Sequence, residues 1–215
     1  SNIRRASLTD VFRAKVSLWD VGDSSSPTRI HHFKGHELKY GYRSEAWIAA
    51  FDCWHKDIII SGGDDGKLCG WDLRTSCTTP IFTRYYDAGV CSAQFDQHRE
   101  HRLAVGGYYG SVDIYDMRSL RSTSRGRGGS NQEAVNTFNA GGGVWRLKWH
   151  PTNVGVLAGA CMRGGVRIFQ DPTNVDQPHD MVNYYHGHPS SSLAYGVDWI
   201  RCCGEDSSIS DDMMV

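Results

Sequence analysis

An all-β chain assembled from repeated four-stranded units is the fold class this sequence predicts, and three observations carry it. A short β-branched or aromatic strand recurs as Val16-Ser17-Leu18-Trp19-Asp20, Leu68-Cys69-Gly70-Trp71-Asp72, Val112-Asp113-Ile114-Tyr115-Asp116 and Val166-Arg167-Ile168-Phe169-Gln170, at intervals of about 45–55 residues. Each copy after the first follows another strand and a glycine hairpin. These are Ile58-Ile59-Ile60-Ser61-Gly62-Gly63 before Asp64-Asp65-Gly66, Leu103-Ala104-Val105-Gly106-Gly107 before Tyr108-Tyr109-Gly110, and Val156-Leu157-Ala158-Gly159-Ala160 before Arg163-Gly164-Gly165. Glycine in such turns supplies the positive φ angles that a tight hairpin needs. Further upstream lies a third strand in each unit: Trp47-Ile48-Ala49-Ala50-Phe51, Val90-Cys91-Ser92-Ala93-Gln94-Phe95 and Val144-Trp145-Arg146-Leu147-Lys148-Trp149. Three strands at this spacing, with a less regular fourth, make one blade of a β-propeller.

Residues 1–203 are therefore predicted to form a propeller segment, with blades ending near residues 20, 72, 116 and 170 and a partial last blade. Three blades are full and each end carries a part-blade. A ring of this kind takes more blades than that, and an open arc leaves strand edges unpaired, so the expectation is a natural molecule with more N-terminal sequence and, at full length, a monomer. Residues 119–132 are basic and rich in Gly and Ser and are expected to be a mobile insertion, read as a surface loop with RNA binding as the alternative. The acidic, Ser-rich residues 204–215 are expected to be a disordered tail.

Composition narrows the class of function. A formal net charge of -1, with 22% charged and 40% hydrophobic residues, is that of an ordinary globular protein and gives no electrostatic reason to expect direct nucleic-acid contact. Neither an apolar run of about 18 residues nor a secretory signal pattern is present, so no membrane association is expected. The seven cysteines are odd in number and lack a C-x-x-C pair, which fits free thiols in a reducing cytoplasm or nucleus. His98 and His101, three apart, are a faint metal hint in a polar stretch that reads as a loop, and no metal or cofactor is expected.

Gly35-His36 precedes, and Trp71-Asp72 ends, the best-formed unit, with Ser61 and Asp65 between them. In these residues the chain resembles the WD repeats. The resemblance implies a hydrogen-bonded network of His36, Ser61, Asp65 and Trp71 inside the blade, structural in role. The units around residues 90 and 145 lack the Gly-His pair, so their networks are expected to be incomplete or missing.

Common catalytic signatures, the G-x-S-x-G elbow, H-E-x-x-H, the Walker loop and the Rossmann glycines, are not found, which by itself favours a binding scaffold. Other segments are more particular than a generic repeat needs. They are Ser44-Glu45-Ala46-Trp47-Ile48-Ala49-Ala50-Phe51, Gly141-Gly142-Gly143-Val144-Trp145-Arg146-Leu147-Lys148-Trp149-His150-Pro151 and Ser192-Leu193-Ala194-Tyr195-Gly196-Val197-Asp198-Trp199, with Ser61-Gly62-Gly63-Asp64-Asp65-Gly66 and Ala160-Cys161-Met162. From about Gly35 to Trp199 the chain resembles the diphthine methyl esterase family, most specifically in the triple glycine followed by Val-Trp-Arg. It departs from that pattern in the basic insertion and in the tail after Trp199. The resemblance implies cytoplasmic hydrolysis of a methyl ester on the diphthine side chain of translation elongation factor 2, a step of diphthamide biosynthesis, with water as the second substrate.

Roles for individual residues follow from blade geometry. The loop entering the first strand of each blade opens on one face, so Glu45, Trp47, Trp145, Arg146 and Tyr195 are expected to converge on one concave mouth. Trp47, Trp145 and Tyr195 there form a cage for a trimethylammonium group, with Glu45 adding charge, or else pack between blades. The amides of Gly141, Gly142, Gly143 and Val144 are candidate oxyanion donors, as is Arg146. His150, Cys161, His188 and Asp198 are the candidates for base or nucleophile. Each has a structural reading: His150 in a strand-end turn, Cys161 in packing, Asp198 bonding nearby backbone. The alternative for the whole chain is a non-catalytic WD scaffold that binds other proteins.

Overall fold

Alternating apolar residues closed by glycine turns favour antiparallel strands joined by short hairpins, and such strands dominate the chain. The structure is a computed structural model that describes residues 5–10, 15–21, 26–38, 44–75, 77–122, 133–172, 180–185, 187, 189, 192–200 and 213–214. Strands β1 (Arg5–Asp10), β2 (Lys15–Asp20) and β3 (Thr28–Lys34) form a three-stranded sheet in that order. Strands β4 (Ala46–Phe51), β5 (Ile58–Gly63), β6 (Lys67–Asp72) and β7 (Phe82–Tyr85) form a four-stranded sheet in sequence order. The next sheet holds β8 (Val90–Phe95), β9 (Arg102–Gly107), β10 (Ser111–Asp116) and β11 (Asn136–Asn139). The last four-stranded sheet holds β12 (Arg146–Trp149), β13 (Val156–Ala160), β14 (Val166–Gln170) and β15 (Asp180–Tyr185). The fold class is all-β, built of WD-type blades.

The N-terminal sheet has three strands where repeat matching alone found one, since β1 and β3 flank the recognised Val16 to Asp20 segment. One helix is described, α1 (Met117–Ser122), so residues 119–122 of the basic insertion are helical and residues 123–132 lie outside the described residues. Of the C-terminal tail, residues 204–212 and 215 lie outside them too, as do His188, Cys202 and Cys203. Met213–Met214 forms β17 against β16 (Asp198–Trp199). No helix among the described residues is long and apolar enough to cross a membrane. Among the described residues, Cys53, Cys69, Cys77, Cys91 and Cys161 form no disulfide.

The chain divides into two compact units, Ser1–Ala93 with Met117–Gln132, and Gln94–Asp116 with Glu133–Val215. In the first, Val16, Leu18, Phe33, Ile59, Cys69 and Trp71 pack together, with Ala49, Phe51, Leu73 and Cys77 at their margin. Strand β5 is buried at every position, which is why Ile58 to Ile60 is continuously apolar rather than alternating. In the second unit Val112, Ile114, Phe138, Val144, Leu147, Trp149, Leu157 and Phe169 lie in one core cluster, and Phe138 stacks on Phe169 at 5.3 Å between ring centroids.

Candidate functional site

In the first unit the four residues of the WD pattern form one hydrogen-bonded chain. Trp71 Nε1 donates to Ser61 Oγ at 2.9 Å, and Ser61 Oγ meets His36 Nε2 at 2.9 Å. His36 Nδ1 meets Asp65 Oδ1 at 2.8 Å. With the proton placed on Nδ1, every polar atom in the chain is satisfied: Nδ1–H donates to the carboxylate and Ser61 O–H donates to Nε2. The connectivity is that of a hydrolytic Ser-His-Asp triad, yet Ser61 is fully buried and its oxygen is already held by Trp71. The arrangement supports a structural network and offers no reachable nucleophile.

Asp65 gathers further donors: the Glu37 amide at 3.0 Å, the Lys67 amide at 3.2 Å and an ion pair with Lys67 Nζ at 3.1 Å. Burial pushes its carboxyl upward, but the bonds and charges of His36, Glu37 and Lys67 outweigh that and hold it below the usual carboxylate range. A carboxyl depressed in the folded state adds stability that is complete above its unfolded pKa and is lost as pH falls through the folded one. The urea midpoint is therefore expected to drop on acidification below about pH 4, and Asp65→Asn, less stable at neutral pH, is expected to lose that part of the drop. Equal acid sensitivity in both proteins would count against it.

In the second unit four loops meet. The β9–β10 hairpin carries Tyr108, the loop before β12 carries Gly141 to Trp145, the β13–β14 hairpin carries Met162, and the segment before β16 carries Tyr195. Trp145 is edge-on to Tyr195, with 5.3 Å between ring centroids, and lies 6.0 Å from Tyr108. Met162 and Ala194 exchange two backbone hydrogen bonds of 3.1 Å, which fixes the residue before Tyr195. Met162 does so at φ 47°, a left-handed conformation unusual for a side chain of its size. Two glycines have reasons to be glycine. A Cβ on Gly142 would fall 2.5 Å from the Cys161 carbonyl oxygen, and one on Gly143 would fall 2.9 Å from Met162 Sδ.

The four candidate oxyanion amides are not equivalent. Gly141 N donates to Asn139 Oδ1 at 2.8 Å and Val144 N to the Gly107 carbonyl at 2.9 Å, so both are committed. Among the described residues, the Gly142 and Gly143 amides have no hydrogen-bond acceptor. Glu45 and Trp47 both belong to the first unit, where Glu45 accepts the Asp64 amide through its carbonyl and both side chains are half-buried.

His150 is a turn cap. Its Nδ1 accepts the amides of Asn153 at 2.8 Å and Thr152 at 3.1 Å, and its ring packs at a tilt against Trp199. Asp52 and Asp96 occupy the same place after β4 and β8. Asp52 Oδ1 takes the Trp54 amide at 2.8 Å, and Asp96 Oδ1 takes the His98 amide at 2.8 Å. A ring nitrogen that replaces a capping carboxylate oxygen, inside a residue 2% exposed, has no lone pair there for a substrate proton. His98, the other imidazole of interest, bonds the His150 carbonyl at 3.1 Å.

Cys161 is fully buried, donates to the Gly159 carbonyl at 3.4 Å, and has its thiol pushed up to about 12 by burial, so thiolate is scarce at neutral pH. Asp198 is exposed and differs. Partial burial works to raise its pKa, but the Lys148 hydrogen bond, the Trp199 amide and the charges of Lys148 and Arg146 hold it below the usual range. It is an ionised carboxylate, 3.0 Å from Lys148 Nζ and 2.9 Å from the Trp199 amide. Arg146 is exposed and shares a strand face with Lys148, opposite the buried Leu147 and Trp149.

No protein-family model matches the chain. Among curated proteins, the mouse diphthine methyltransferase is 39% identical over 156 residues, covering 72% of this chain and 30% of its own. The human diphthine methyltransferase is 37% identical over 158 residues, 74% of this chain and 32% of its own. The Dictyostelium discoideum diphthine methyltransferase homolog is 35% identical over 189 residues, 82% of this chain and 47% of its own. The chain is a homologue of the diphthine methyltransferases. It spans less than half the length of these diphthine methyltransferase relatives.

Repeat reading gave no reason to place Tyr108 beside Trp145. A signal existed: Tyr108-Tyr109 puts two large aromatics in a hairpin turn where small or polar residues are usual. Met162 was noticed within a family-like segment, but its positive φ is invisible in sequence.

Proposed function

We propose that this chain acts in diphthamide biosynthesis as a carboxylic ester hydrolase, converting the methyl ester of diphthine methyl ester on translation elongation factor 2 to the diphthine carboxylate, with water consumed and methanol released. The observation that carries the reading is the rim of the second unit, where Trp145 and Tyr195 stand beside the uncommitted Gly142 and Gly143 amides, in a homologue of proteins named for diphthine chemistry. The aromatic rings suit the trimethylammonium group of the substrate. The two glycine amides suit the oxyanion that forms when water attacks the ester carbonyl, with Arg146 as a further donor. Asp198, ionised and open to solvent, is the base we assign to that water, while His150 and Cys161 serve the turn and the core. The partner is the modified elongation factor in the cytoplasm.

The test is mass spectrometry of the modified peptide after incubating elongation factor 2 bearing the ester with this chain, and with a form extended to the relatives' length. Loss of one CH2 unit supports hydrolysis. Unchanged mass with both forms overturns it and leaves the scaffold reading, and a gain of methyl points to methyl transfer. Trp145→Ala is expected to raise KM about 3- to 30-fold with kcat little changed and unfolding still cooperative. Cys161→Ala is expected to keep kcat within about twofold of the parent, since a fully buried, protonated thiol takes no part in the reaction. Loss of turnover in a folded Cys161→Ala protein would return the nucleophile role to it.

A further inference from the structure

We infer that Tyr108 is the third wall of an aromatic cage, completed by Trp145 and Tyr195, that binds quaternary ammonium groups in preference to neutral groups of the same shape. The inference rests on the proposed function only for the identity of the natural ligand, a trimethylammonium side chain; the cage itself stands on the geometry of the second unit.

Both tyrosine rings stand steeply to the central indole, Tyr195 at 83° and Tyr108 at 62°, with centroids 5.3 and 6.0 Å from it. Each tyrosine thus meets the indole at a steep angle rather than stacking flat on it. Both tyrosines keep much of their surface open to solvent. A packing tyrosine buries its ring and leaves only the hydroxyl wet, whereas Tyr108 is 43% exposed and Tyr195 50% exposed.

Each wall is also held by backbone. The Val144 amide bonds the Gly107 carbonyl beside Tyr108 at 2.9 Å, the Trp145 amide bonds the Ala160 carbonyl at 2.9 Å, and the paired Met162 and Ala194 bonds hold the stem of Tyr195. Gly143 lies between two of these walls, where a Cβ would come within 2.9 Å of Met162 Sδ and 3.4 Å of the Tyr108 Cα. Preorganised rings lose little entropy on binding, which matters for a ligand that makes no hydrogen bonds.

The chemistry of the walls selects the ligand. Ring faces carry a negative quadrupole that attracts cations. A quaternary ammonium is weakly hydrated and gives up its water at small cost, whereas a primary ammonium needs donors satisfied that three rings cannot satisfy.

The experiment titrates this chain with tetramethylammonium chloride at constant ionic strength, read by tryptophan fluorescence, with neopentyl alcohol as the neutral probe of similar shape. Saturable binding of tetramethylammonium at least about fivefold tighter than the alcohol is expected. Tyr108→Leu, which keeps apolar bulk and loses the π face, is expected to weaken it about 3- to 10-fold, and Tyr108→Phe to stay within about twofold. Equal affinity for the two probes, or a folded Tyr108→Leu that binds tetramethylammonium as the parent does, overturns the inference. Should Tyr108→Leu fail to give a cooperative thermal transition, Tyr195→Leu makes the same comparison at the other exposed wall. Ester hydrolysis is assayed in parallel. Tetramethylammonium binding with no hydrolysis by either this chain or the extended form keeps the cage and removes the hydrolase reading, and hydrolysis unaffected by tetramethylammonium and by Tyr108→Leu removes the cage alone.

Discussion

Replacing Arg99 by Met is expected to destabilise the second unit by about 3–5 kcal/mol, because it removes the closest counter-charge of two buried carboxylates, leaving Asp171 only the longer Arg102 pair at 3.8 Å. Asp96 and Asp171 are both fully buried. Arg99 Nε donates to Asp96 Oδ2 at 2.6 Å, and its Nη2 pairs with Asp171 Oδ2 at 2.8 Å. The guanidinium also lies 5.3 Å from the centre of the Trp149 ring, and Asn136 Nδ2 donates to the other oxygen of Asp171. One planar cation thus joins the turn after β8 to the end of β14. The cost comes from the stranded anions more than from the lost bonds, so Arg99→Met combined with Asp171→Asn is expected to recover part of the loss. Urea unfolding followed by tryptophan fluorescence, with an unchanged slope, measures both. A single-variant loss under about 1 kcal/mol would show that water reaches these carboxylates and that the cluster is not a dry one.

Trp71→Ala in the first unit is expected to cost a similar amount, about 3–5 kcal/mol, for a different reason. The indole is 2% exposed and packs 4.8 Å from the Phe33 ring, so truncation opens a cavity in the core shared by β2, β3, β5 and β6. Trp71→Phe separates the two contributions. It keeps most of the volume and removes only the bond to Ser61 Oγ, and about 1–2 kcal/mol is expected. Equal losses in the two variants would mean that the polar network, not the packing, is what the blade depends on.

The strands were legible because their signals are local. Alternation of apolar residues, β-branched runs and glycine hairpins all act within a few residues, and β5, β6, β9, β10 and β13 begin and end close to where those signals place them. The network of His36, Ser61, Asp65 and Trp71 was legible for a related reason: strand pairing in β5 and β6 sets Ser61 opposite Cys69 and so brings the neighbouring positions together. Strand β12 was less legible. It starts at Arg146: the Val144 amide turns away to the Gly107 carbonyl at the end of β9, while the Trp145 amide still bonds Ala160 on β13.

Sequence by itself determined the all-β class, the repeat, the hairpins and the identity of the residues around Gly141 to Trp145 and Tyr195, since each depends on neighbours along the chain. Tertiary structure alone decided which of those residues meet. Tyr108 joins Trp145 because a hairpin tip from one blade lies against the loop entering the next. His150 becomes a cap because its turn repeats those of Asp52 and Asp96. The amides of Gly141 and Val144 are used up by acceptors elsewhere in the fold. Contacts of this kind depend on register and hydrogen-bond partners across different strands, and the physical information that sets them lies in how the sheets pack rather than in any local stretch of residues.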